Sequence, residues 1–262
     1  MVRRIPPEAY GRDYFLNPCL DGYQEYLEGT LSAVKAKRLD MLSLQEGTSV
    51  LEVGYGRGEL LLHCALKGAT VAGVDYSPEA YAIALDTLRG FPDADVRLAD
   101  CRRLPFDASS FDRVFSGDVI EHLCFEDAIE MLKEMYRVTR PGGFMLVHTS
   151  PNTVFTKCVY PIAKHILRRI DHASVEAIEE QLQVMNRVHI DEYNLITLRR
   201  SAAAAGLRQA SVWIDKDLMR SGEQRHTRAF AKNRLVRLAN ALGKYAAVRF
   251  ILGNDLYLKC PK

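Results

Sequence analysis

Short apolar runs rich in β-branched residues alternate with segments of helical periodicity along most of the chain. This alternation is typical of βαβ units and predicts an α/β fold around a mainly parallel sheet. The predicted strands span residues 48–53, 70–75, 96–99, 111–116, 144–148, 209–214 and 255–259. The predicted helices span residues 23–43, 60–67, 78–88, 125–138 and 191–205, and Pro141-Gly142-Gly143 is expected to end the fourth of them.

Two segments depart from this alternation. Residues 150–188 hold helical patterns without a clear strand, which predicts a helical cap inserted over the carboxyl edge of the sheet. Residues 217–250 are basic: from Arg220 to Arg249 the net charge is +7, against −5 for the remainder of the chain. This basic helical insertion could face phosphates, nucleic acid or anionic lipid, although a solvated helical surface is the favoured interpretation. We therefore predict an N-terminal helical lid over residues 1–46 and a main domain over 47–262.

Composition narrows the class of protein only slightly. The chain has 262 residues, of which 48% are hydrophobic and 26% charged, as in ordinary globular proteins. Its 6 cysteines are scattered without a CxxC pair, so we expect free thiols in a reducing compartment rather than disulfides or a zinc site. No apolar run follows the basic N-terminus, and no apolar stretch reaches transmembrane length, so we expect a cytoplasmic protein.

A glycine-rich turn follows the first predicted strand. Gly54-Tyr55-Gly56-Arg57-Gly58 permits a tight turn and the close approach of a ligand to the backbone. Dinucleotide-binding folds share such a turn, so it is weak evidence on its own. However, Glu59 stands where the dinucleotide pattern has its third glycine. Because an acidic side chain there would lie beside a pyrophosphate, a cofactor without phosphates is easier to accommodate.

Acidic residues follow the next two predicted strands. Asp75 ends the second strand, where a carboxylate accepts hydrogen bonds from both hydroxyls of a ribose. Asp100, after the third strand, can accept a hydrogen bond from an adenine amino group, and the backbone N–H of Cys101 can meet a ring nitrogen. An acid at either position could instead cap a helix or lie in a turn.

Taken together, these motifs resemble the class I S-adenosylmethionine-dependent methyltransferases. The matching elements, in the family order, are the turn Glu52 to Gly58, Asp75, Leu98-Ala99-Asp100, Phe111-Asp112 and Arg140-Pro141-Gly142-Gly143. The resemblance implies a three-layer Rossmann-like sheet of seven strands with the last antiparallel, and S-adenosylmethionine as cofactor. The family usually has a cysteine at the position of Tyr55, which is a mild departure because the backbone makes most of the contact.

The same resemblance implies roles for individual residues. Gly54 and Gly56 would contact the methionine part of the cofactor, with Tyr55 between them and Glu52 at the base of the turn. The remaining cofactor contacts it implies are Asp75 on the ribose, Tyr76 beside the adenine, Asp100 and Cys101 on the adenine edge, and Ser116 to Asp118 at the methionine end. The N-terminal aromatic residues Tyr10, Tyr14 and Phe15 could cover the cofactor as a lid or pack in the core.

Methyl transfer is an in-line displacement, so the protein mainly has to align acceptor, methyl group and sulfur. An oxygen or nitrogen acceptor can also need a base. His148, at the end of the fifth strand, and His189, before the helix at 191, are the two candidate bases, and either could be a structural histidine.

The run Asp118-Val119-Ile120-Glu121-His122 allows a second mechanism. It is similar to the metal-ligand run of small-RNA 3′-terminal 2′-O-methyltransferases and of some ubiquinone-pathway O-methyltransferases, which have glutamate at the position of Asp118. His189 is a loose match to a further ligand of the RNA enzymes. A divalent cation there would lower the pKa of an acceptor hydroxyl. The favoured interpretation is metal-free: Glu121 and His122 cap the next helix or line a dry acceptor pocket.

The leading hypothesis is O-methylation of a small molecule, a sugar or a lipid-linked intermediate. The segment 188–195 is also similar to bacterial methyltransferases of glycan, lipid and natural-product pathways. The alternatives are a metal-dependent RNA 2′-O-methyltransferase, for which the basic segment is the motive, a non-catalytic S-adenosylmethionine-binding subunit, and a nicotinamide-dependent oxidoreductase. The last is disfavoured by Glu59 and by Pro141-Gly142-Gly143. The acceptor itself has no readable motif.

Overall fold

The computed structural model describes residues 4–18, 21–170, 172–216 and 241–262. Its centre is a seven-stranded sheet in the order β3-β2-β1-β4-β5-β7-β6. The strands are β1 Ser49–Val53, β2 Thr70–Asp75, β3 Asp95–Leu98, β4 Phe111–Gly117, β5 Thr139–Thr149, β6 Ser211–Ile214 and β7 Leu256–Pro261. Strands β1 to β5 pair in parallel, whereas β7 runs antiparallel to both β5 and β6. The predicted fold class is confirmed.

Helices cover both faces of the sheet. They are α1 Arg12–Phe15, α2 Tyr23–Leu27, α3 Ala33–Met41, α4 Glu59–Leu66, α5 Pro78–Thr87, α6 Phe125–Val138, α7 Tyr160–Ile170, α8 His172–Val188, α9 Leu195–Ala204 and α10 Ala246–Leu252. One buried cluster joins the sheet to α6 and α9 through Met131 and Leu198. A second cluster joins the opposite face to α4 and α5 through Leu61 and Ile83. The molecule therefore has three layers, with the sheet in the middle.

Local chemistry moves several predicted boundaries. The helix predicted over 23–43 is two helices, because Gly29 takes the left-handed conformation at φ 70° and Ser32 caps α3 by accepting from the backbone N–H of Lys35. The helix predicted from 191 begins only after Asn194, which forms a capping box with Thr197. The helix before Pro141-Gly142-Gly143 ends at Val138, and that tripeptide lies inside β5 instead, where the pairing with β4 shifts register.

The predicted insertion over 150–188 is helical in the structure. A π-helical turn, Phe155–Val159, leads into α7, and α7 packs against α8. The predicted basic insertion falls mainly on residues 217–240, which lie outside the described residues, and α10 covers the later part of it. Within the described ranges, no helix has both the length and the apolar character that crossing a bilayer requires. The division into a lid over 1–46 and a main domain over 47–262 stays a prediction.

Candidate active site

A cavity of about 290 Å³ opens at the carboxyl edge of the sheet. It lies where the strand order reverses between β1 and β4, the place where open α/β sheets bind ligands. The strand ends form its floor, and the N-terminal segment and the end of α8 complete its walls. Most of the predicted site residues lie on this cavity: Glu52, Gly54, Tyr55, Gly56, Asp75, Tyr76, Asp100, Cys101, Asp118, Glu121, His122 and His189.

The glycine turn has no room for a side chain at Gly54. This residue has φ 80°, and a Cβ atom added to it would lie 2.1 Å from Cγ2 of Val119. Its N–H donates to the carbonyl of Val74 at 2.7 Å, which joins the turn to β2. Only glycine can hold the backbone this close to the neighbouring loop, and the turn therefore places bare main chain on the cavity.

The carboxylate of Asp75 braces the turn from the next strand. Its Oδ2 accepts from the N–H of Gly56 and its Oδ1 from the N–H of Ser77, each at 3.0 Å. Burial raises its pKa, although these N–H groups oppose the shift. Each oxygen has a further lone pair, so a ribose could bind without breaking the brace.

Glu52 presents an unused acceptor to the same cavity. Its side chain is buried, and Oε2 has no hydrogen-bond partner among the described residues. Burial, with Glu59 nearby, raises its pKa well above the usual value, whereas Lys35 and Arg38 oppose the shift. A buried oxygen without a partner costs about 1–3 kcal/mol, so this position is suited to a ligand that donates a hydrogen bond.

Glu59 has a different role from the one inferred from sequence. Its carboxylate forms ion pairs with Lys35 and with Arg57, the latter at 2.6 Å. Burial disfavours its charge, but the two cations outweigh burial and lower its pKa to about 2. The guanidinium of Arg57 also donates to the carbonyls of Phe15 and Asp21, at 2.9 and 2.7 Å. Glu59 therefore fastens the N-terminal segment, and its neutralised charge is no strong argument against a pyrophosphate.

The edge of the cavity at β3 carries a network of charges. Arg102 forms a fork with the carboxylate of Asp100, Nε lying 2.9 Å from Oδ1, and also reaches Asp127 at 3.1 Å. Arg4 of the N-terminal segment pairs with Asp127 at 2.8 Å. The hydrogen bond from Arg102, together with its charge, lowers the pKa of Asp100 despite partial burial. Asp100 thus stays an ionised acceptor beside the half-buried Cys101.

The N-terminal aromatic side chains line the cavity and also belong to the core. Tyr10 and Phe15 are buried in the cluster on the α4–α5 face, and both line the cavity with Tyr14. The hydroxyl of Tyr76 donates to the carbonyl of Ile5, and its ring lies against that of Tyr10 at 5.6 Å between centroids. Core packing of Tyr10 and Phe15 is confirmed, and the role of these aromatic residues as a lid over the cofactor stays a prediction.

Two predicted site residues, Ser116 and His148, do not line the cavity. Ser116 is fully buried on β4, where side chains alternate between faces, and its neighbours Phe115 and Gly117 reach the cavity instead. His148 is fully buried as well. Arg38 meets its Nδ1 at 2.6 Å, and its Nε2 lies 2.9 Å from Oδ1 of Asp255. With both ring nitrogens engaged, His148 is a structural histidine, and the prediction that it faces the acceptor as a base is wrong.

Arg38 connects helix α3 to the buried pair of His148 and Asp255. Its NH2 group also donates to Oδ2 of Asp118 at 2.7 Å, and Nδ1 of His148 lies 3.0 Å from the other oxygen. Asp118 has φ 57°, a conformation that aspartate tolerates better than most residues. Charge pairing with Arg38 and His148 therefore fixes Asp118 and the loop after β4.

Three of the four proposed metal ligands converge at the acceptor end. Single ligand atoms of Glu121, His122 and His189 all lie within 4.8 Å of one another, and Asp118 is not part of this set. Thr149 donates to Oε2 of Glu121 at 2.8 Å, and Nδ1 of His122 meets the hydroxyl of Tyr10 at 2.8 Å.

The electrostatics of Glu121 and His122 favour their neutral forms. Burial, and the nearby charge of Asp118, raise the pKa of Glu121 well above its usual value. Burial, together with His189, lowers the pKa of His122 to about 3. His189 lines the same wall, and its Nδ1 lies 3.4 Å from Oε1 of Glu192.

Sequence reasoning missed the cations that organise the cavity. Lys35 and Arg38 are three residues apart on α3 and share one face of that helix, which is the signal that could have indicated their role. In the sequence, Arg57 stands out only as part of the glycine turn. Arg4 and Asp127 left no signal, because their contact joins positions 123 residues apart.

Known methyltransferases are similar to this chain in sequence. A methyltransferase domain model matches residues 51–147. Demethylmenaquinone methyltransferase from Chlorobaculum tepidum is 32% identical over 174 residues, which are 64% of this chain and 69% of that protein. A sterol 4-C-methyltransferase from Caenorhabditis elegans is 28% identical over 53% of this chain, a match that spans only 41% of the relative.

Solved structures show the same fold. Phosphoethanolamine N-methyltransferase 2 from Haemonchus contortus, in complex with phosphomonomethylethanolamine and S-adenosylhomocysteine, matches with a TM-score of 0.59 at 20% identity. The match covers 98% of this chain and 56% of that one. Fold and site together define a Rossmann-like methyltransferase.

The chain belongs to the class I S-adenosylmethionine-dependent methyltransferases. It is an enzyme, and its cofactor is S-adenosylmethionine.

Proposed function

We propose that the cofactor lies along the strand ends with its methionine part over the glycine turn. Three observations support this placement. The unpartnered Oε2 of Glu52 suits the methionine ammonium, and the guanidinium of Arg38 lines the same end of the cavity for the carboxylate. The braced carboxylate of Asp75 suits the ribose. At the far end, Asp100 suits the adenine amino group, with Tyr76 and Cys101 beside the ring.

Glu52→Gln tests the methionine end of this placement. The amide keeps the shape of the side chain but removes the charge that pairs with the ammonium. We expect S-adenosylhomocysteine to bind about tenfold more weakly, because a hydrogen bond to a charged group contributes about 1.5–3 kcal/mol. Calorimetry with analogues that lack the carboxylate or the amino group separates the two contacts. Because the deaminated analogue has no ammonium for Glu52 to bind, the variant should bind it with the same affinity as the wild type does. An unchanged affinity for S-adenosylhomocysteine would place the ammonium elsewhere.

We further propose that the methyl group is transferred to an oxygen of a small, largely apolar acceptor. The observation that carries this proposal is His189 on the cavity wall, paired through Nδ1 with Glu192. A carboxylate in this position orients the imidazole and stabilises the imidazolium formed when the ring takes a proton. The other ring nitrogen can then remove the proton of an acceptor hydroxyl as the oxygen attacks the methyl carbon.

The walls of the acceptor end are mainly apolar. Leu123, Met185, Val188 and Ile190 line it around the polar group of Glu121 and the two histidines. Such a pocket selects an apolar body with one polar reacting group. The names of the similar proteins, which include demethylmenaquinone and sterol methyltransferases, support a small-molecule or lipid-linked acceptor of this kind. They also include O- and N-methyltransferases, so the reacting atom has to be measured.

His189→Ala is the variant that tests base catalysis. We expect kcat for a phenolic acceptor to fall about 10²-fold, the lower end of the usual contribution of general bases, with S-adenosylhomocysteine affinity unchanged. Higher pH should recover part of the loss, because the phenol then ionises without help. His172→Ala is the matched control, since His172 forms a similar pair with Glu176 on the exposed start of α8. Equal rates for the two variants, or methylation of nitrogen or carbon in the mass-mapped product, would contradict the proposal.

A second candidate mechanism uses a divalent cation held by Glu121, His122 and His189. The convergence of their ligand atoms favours it, and the engaged Nδ1 atoms of both histidines leave Nε2 for a metal. A cation bound there would acidify the acceptor hydroxyl. Chelation separates the mechanisms: EDTA should leave the rate unchanged under base catalysis and abolish it, with rescue by Mg²⁺ or Mn²⁺, under metal catalysis. A single-stranded RNA oligonucleotide in the same assay tests transfer to RNA ribose.

A further inference from the structure

The outward face of α7 is apolar and basic. Ile162 is 72% exposed and Ile166 is 60% exposed. With His165 and Arg169 these residues have the spacing i, i+3, i+4 and i+7, which places them on one stripe of the helix. Exposed stripes of helices are ordinarily polar, so two exposed isoleucines one turn apart indicate a surface that is covered in use.

The opposite side of α7 is anchored to the protein. Tyr160 is buried, and Lys164 and Arg168 pair with Glu179 of α8 at 3.2 and 2.5 Å. These contacts fix the rotation of α7 and hold the isoleucines outward. Because α8 ends in Val188, followed by His189, and both line the cavity, the anchored helix lies on the insertion that walls the acceptor end.

A second apolar group lies on α10, beside the turn that leads into α7. Helix α10 packs against the π-helical turn that leads into α7, and Asn152 donates to the carbonyl of Gly253 at 2.8 Å to hold its end. Phe250 and Ile251 are 36% and 45% exposed on this helix. Just before it, Lys244 lies over the ring of Tyr245 at 5.1 Å.

The charge of these two helices has one sign. Neither Tyr160–Ile170 nor Ala246–Leu252 contains an aspartate or glutamate, whereas α7 carries Arg169 and α10 carries Arg249. Apolar side chains with basic residues beside them are typical of helices that lie in the headgroup region of anionic membranes. Two copies of this surface would bring like charges together, so a bilayer fits it better than a second copy of the chain does.

We propose that this insertion face, comprising Ile162, Ile166, Arg169, Arg249, Phe250 and Ile251, docks the enzyme on the surface of an anionic lipid bilayer. The isoleucines and Phe250 enter the boundary between headgroups and acyl chains, and the arginines meet lipid phosphates. Docking through α7 attaches the bilayer to the insertion whose end, Val188 and His189, lines the acceptor end of the cavity. The proposal goes beyond the chemistry of the transfer and does not depend on which atom is methylated.

Cosedimentation with sucrose-loaded vesicles tests the proposal on the full chain. We expect it to bind vesicles of phosphatidylcholine with phosphatidylglycerol, to bind phosphatidylcholine alone weakly, and to be released by high salt. The double variant Ile162→Gln/Ile166→Gln should bind the anionic vesicles at least about tenfold more weakly. Leu66→Gln/Ile196→Gln is the matched control, because those residues are 62% and 65% exposed on other helices, and it should bind as the wild type does.

S-adenosylhomocysteine affinity should be equal in all three proteins, which shows that both variants are folded. Equal vesicle binding by the two double variants would overturn the proposal, as would no binding of the wild type to anionic vesicles. Sedimentation velocity provides a further contrary outcome: if the isoleucine variant converts a dimer to a monomer and leaves vesicle binding unchanged, the face joins two copies of the chain.

Discussion

Replacing Gly54 with alanine is expected to weaken the binding of S-adenosylhomocysteine about a thousandfold. The new methyl group meets two separate costs. A left-handed backbone costs an alanine about 1–2 kcal/mol, and overpacking of the kind caused by a Cβ atom 2.1 Å from Val119 costs about 1–3 kcal/mol more. The turn can relieve both only by moving its main chain, which is the surface proposed to contact the cofactor. A total of about 4 kcal/mol corresponds to three orders of magnitude in affinity.

Gly90→Ala is the control for this variant. Gly90 lies shortly after α5, and a Cβ atom added to it would point into open space. We expect this control to bind S-adenosylhomocysteine as the wild type does. Circular dichroism and thermal unfolding should show that Gly54→Ala is folded with a lower Tm. A folded Gly54→Ala protein with wild-type affinity would refute the proposed contact between turn and cofactor.

Asp75→Asn is expected to weaken S-adenosylhomocysteine binding by about 3 kcal/mol, or roughly 150-fold. The charged acceptor for two ribose hydroxyls becomes a neutral amide. The two oxygens of the carboxylate accept hydrogen bonds from the N–H groups of Gly56 and Ser77. In the variant, an amide NH2 group faces one of these two donors and cannot accept its hydrogen bond. The variant therefore loses both the ribose contact and the brace of the turn.

The measurement for Asp75→Asn is calorimetric affinity, with KM for S-adenosylmethionine as a second readout. Asp93→Asn is the matched control, since Asp93 is exposed in the loop before β3. We expect no change there. Retention of wild-type affinity in Asp75→Asn would exclude the ribose role, and equal losses in both variants would indicate a general effect of charge.

The sequence predicted the sheet and the cofactor end of the cavity because those features are local. Strand β2 was predicted with its observed bounds, 70–75, since its apolar run stops at a helix start, Ser77-Pro78. Gly54, Asp75 and Asp100 each follow a strand directly, so predicting the strands also predicted that these residues meet at one edge.

Other features depend on partners that are distant in the sequence. The role of Glu59 changes because Lys35 lies against it, 24 residues earlier, and His148 is engaged by Arg38 and by Asp255, 107 residues later. Periodicity does not encode such contacts. Ser116 shows a smaller failure: the motif was placed correctly, but strand alternation directs its side chain away from the cavity.

The acceptor end was the least predictable part of the site. Its walls come from α8 and the N-terminal segment, and neither carries a motif with a fixed spacing. The place of His189 before a helix predicts a candidate base, but its pairing with Glu192 and its approach to Glu121 and His122 depend on how the insertion packs.

We propose that this cavity binds S-adenosylmethionine through the glycine turn and Asp75. Titration calorimetry with S-adenosylhomocysteine and with NAD, on the wild type and on Asp75→Asn, tests it most directly. We predict one S-adenosylhomocysteine bound per chain, much weaker binding in the variant, and no heat of binding with NAD. Binding of NAD without binding of S-adenosylhomocysteine would contradict this cofactor assignment.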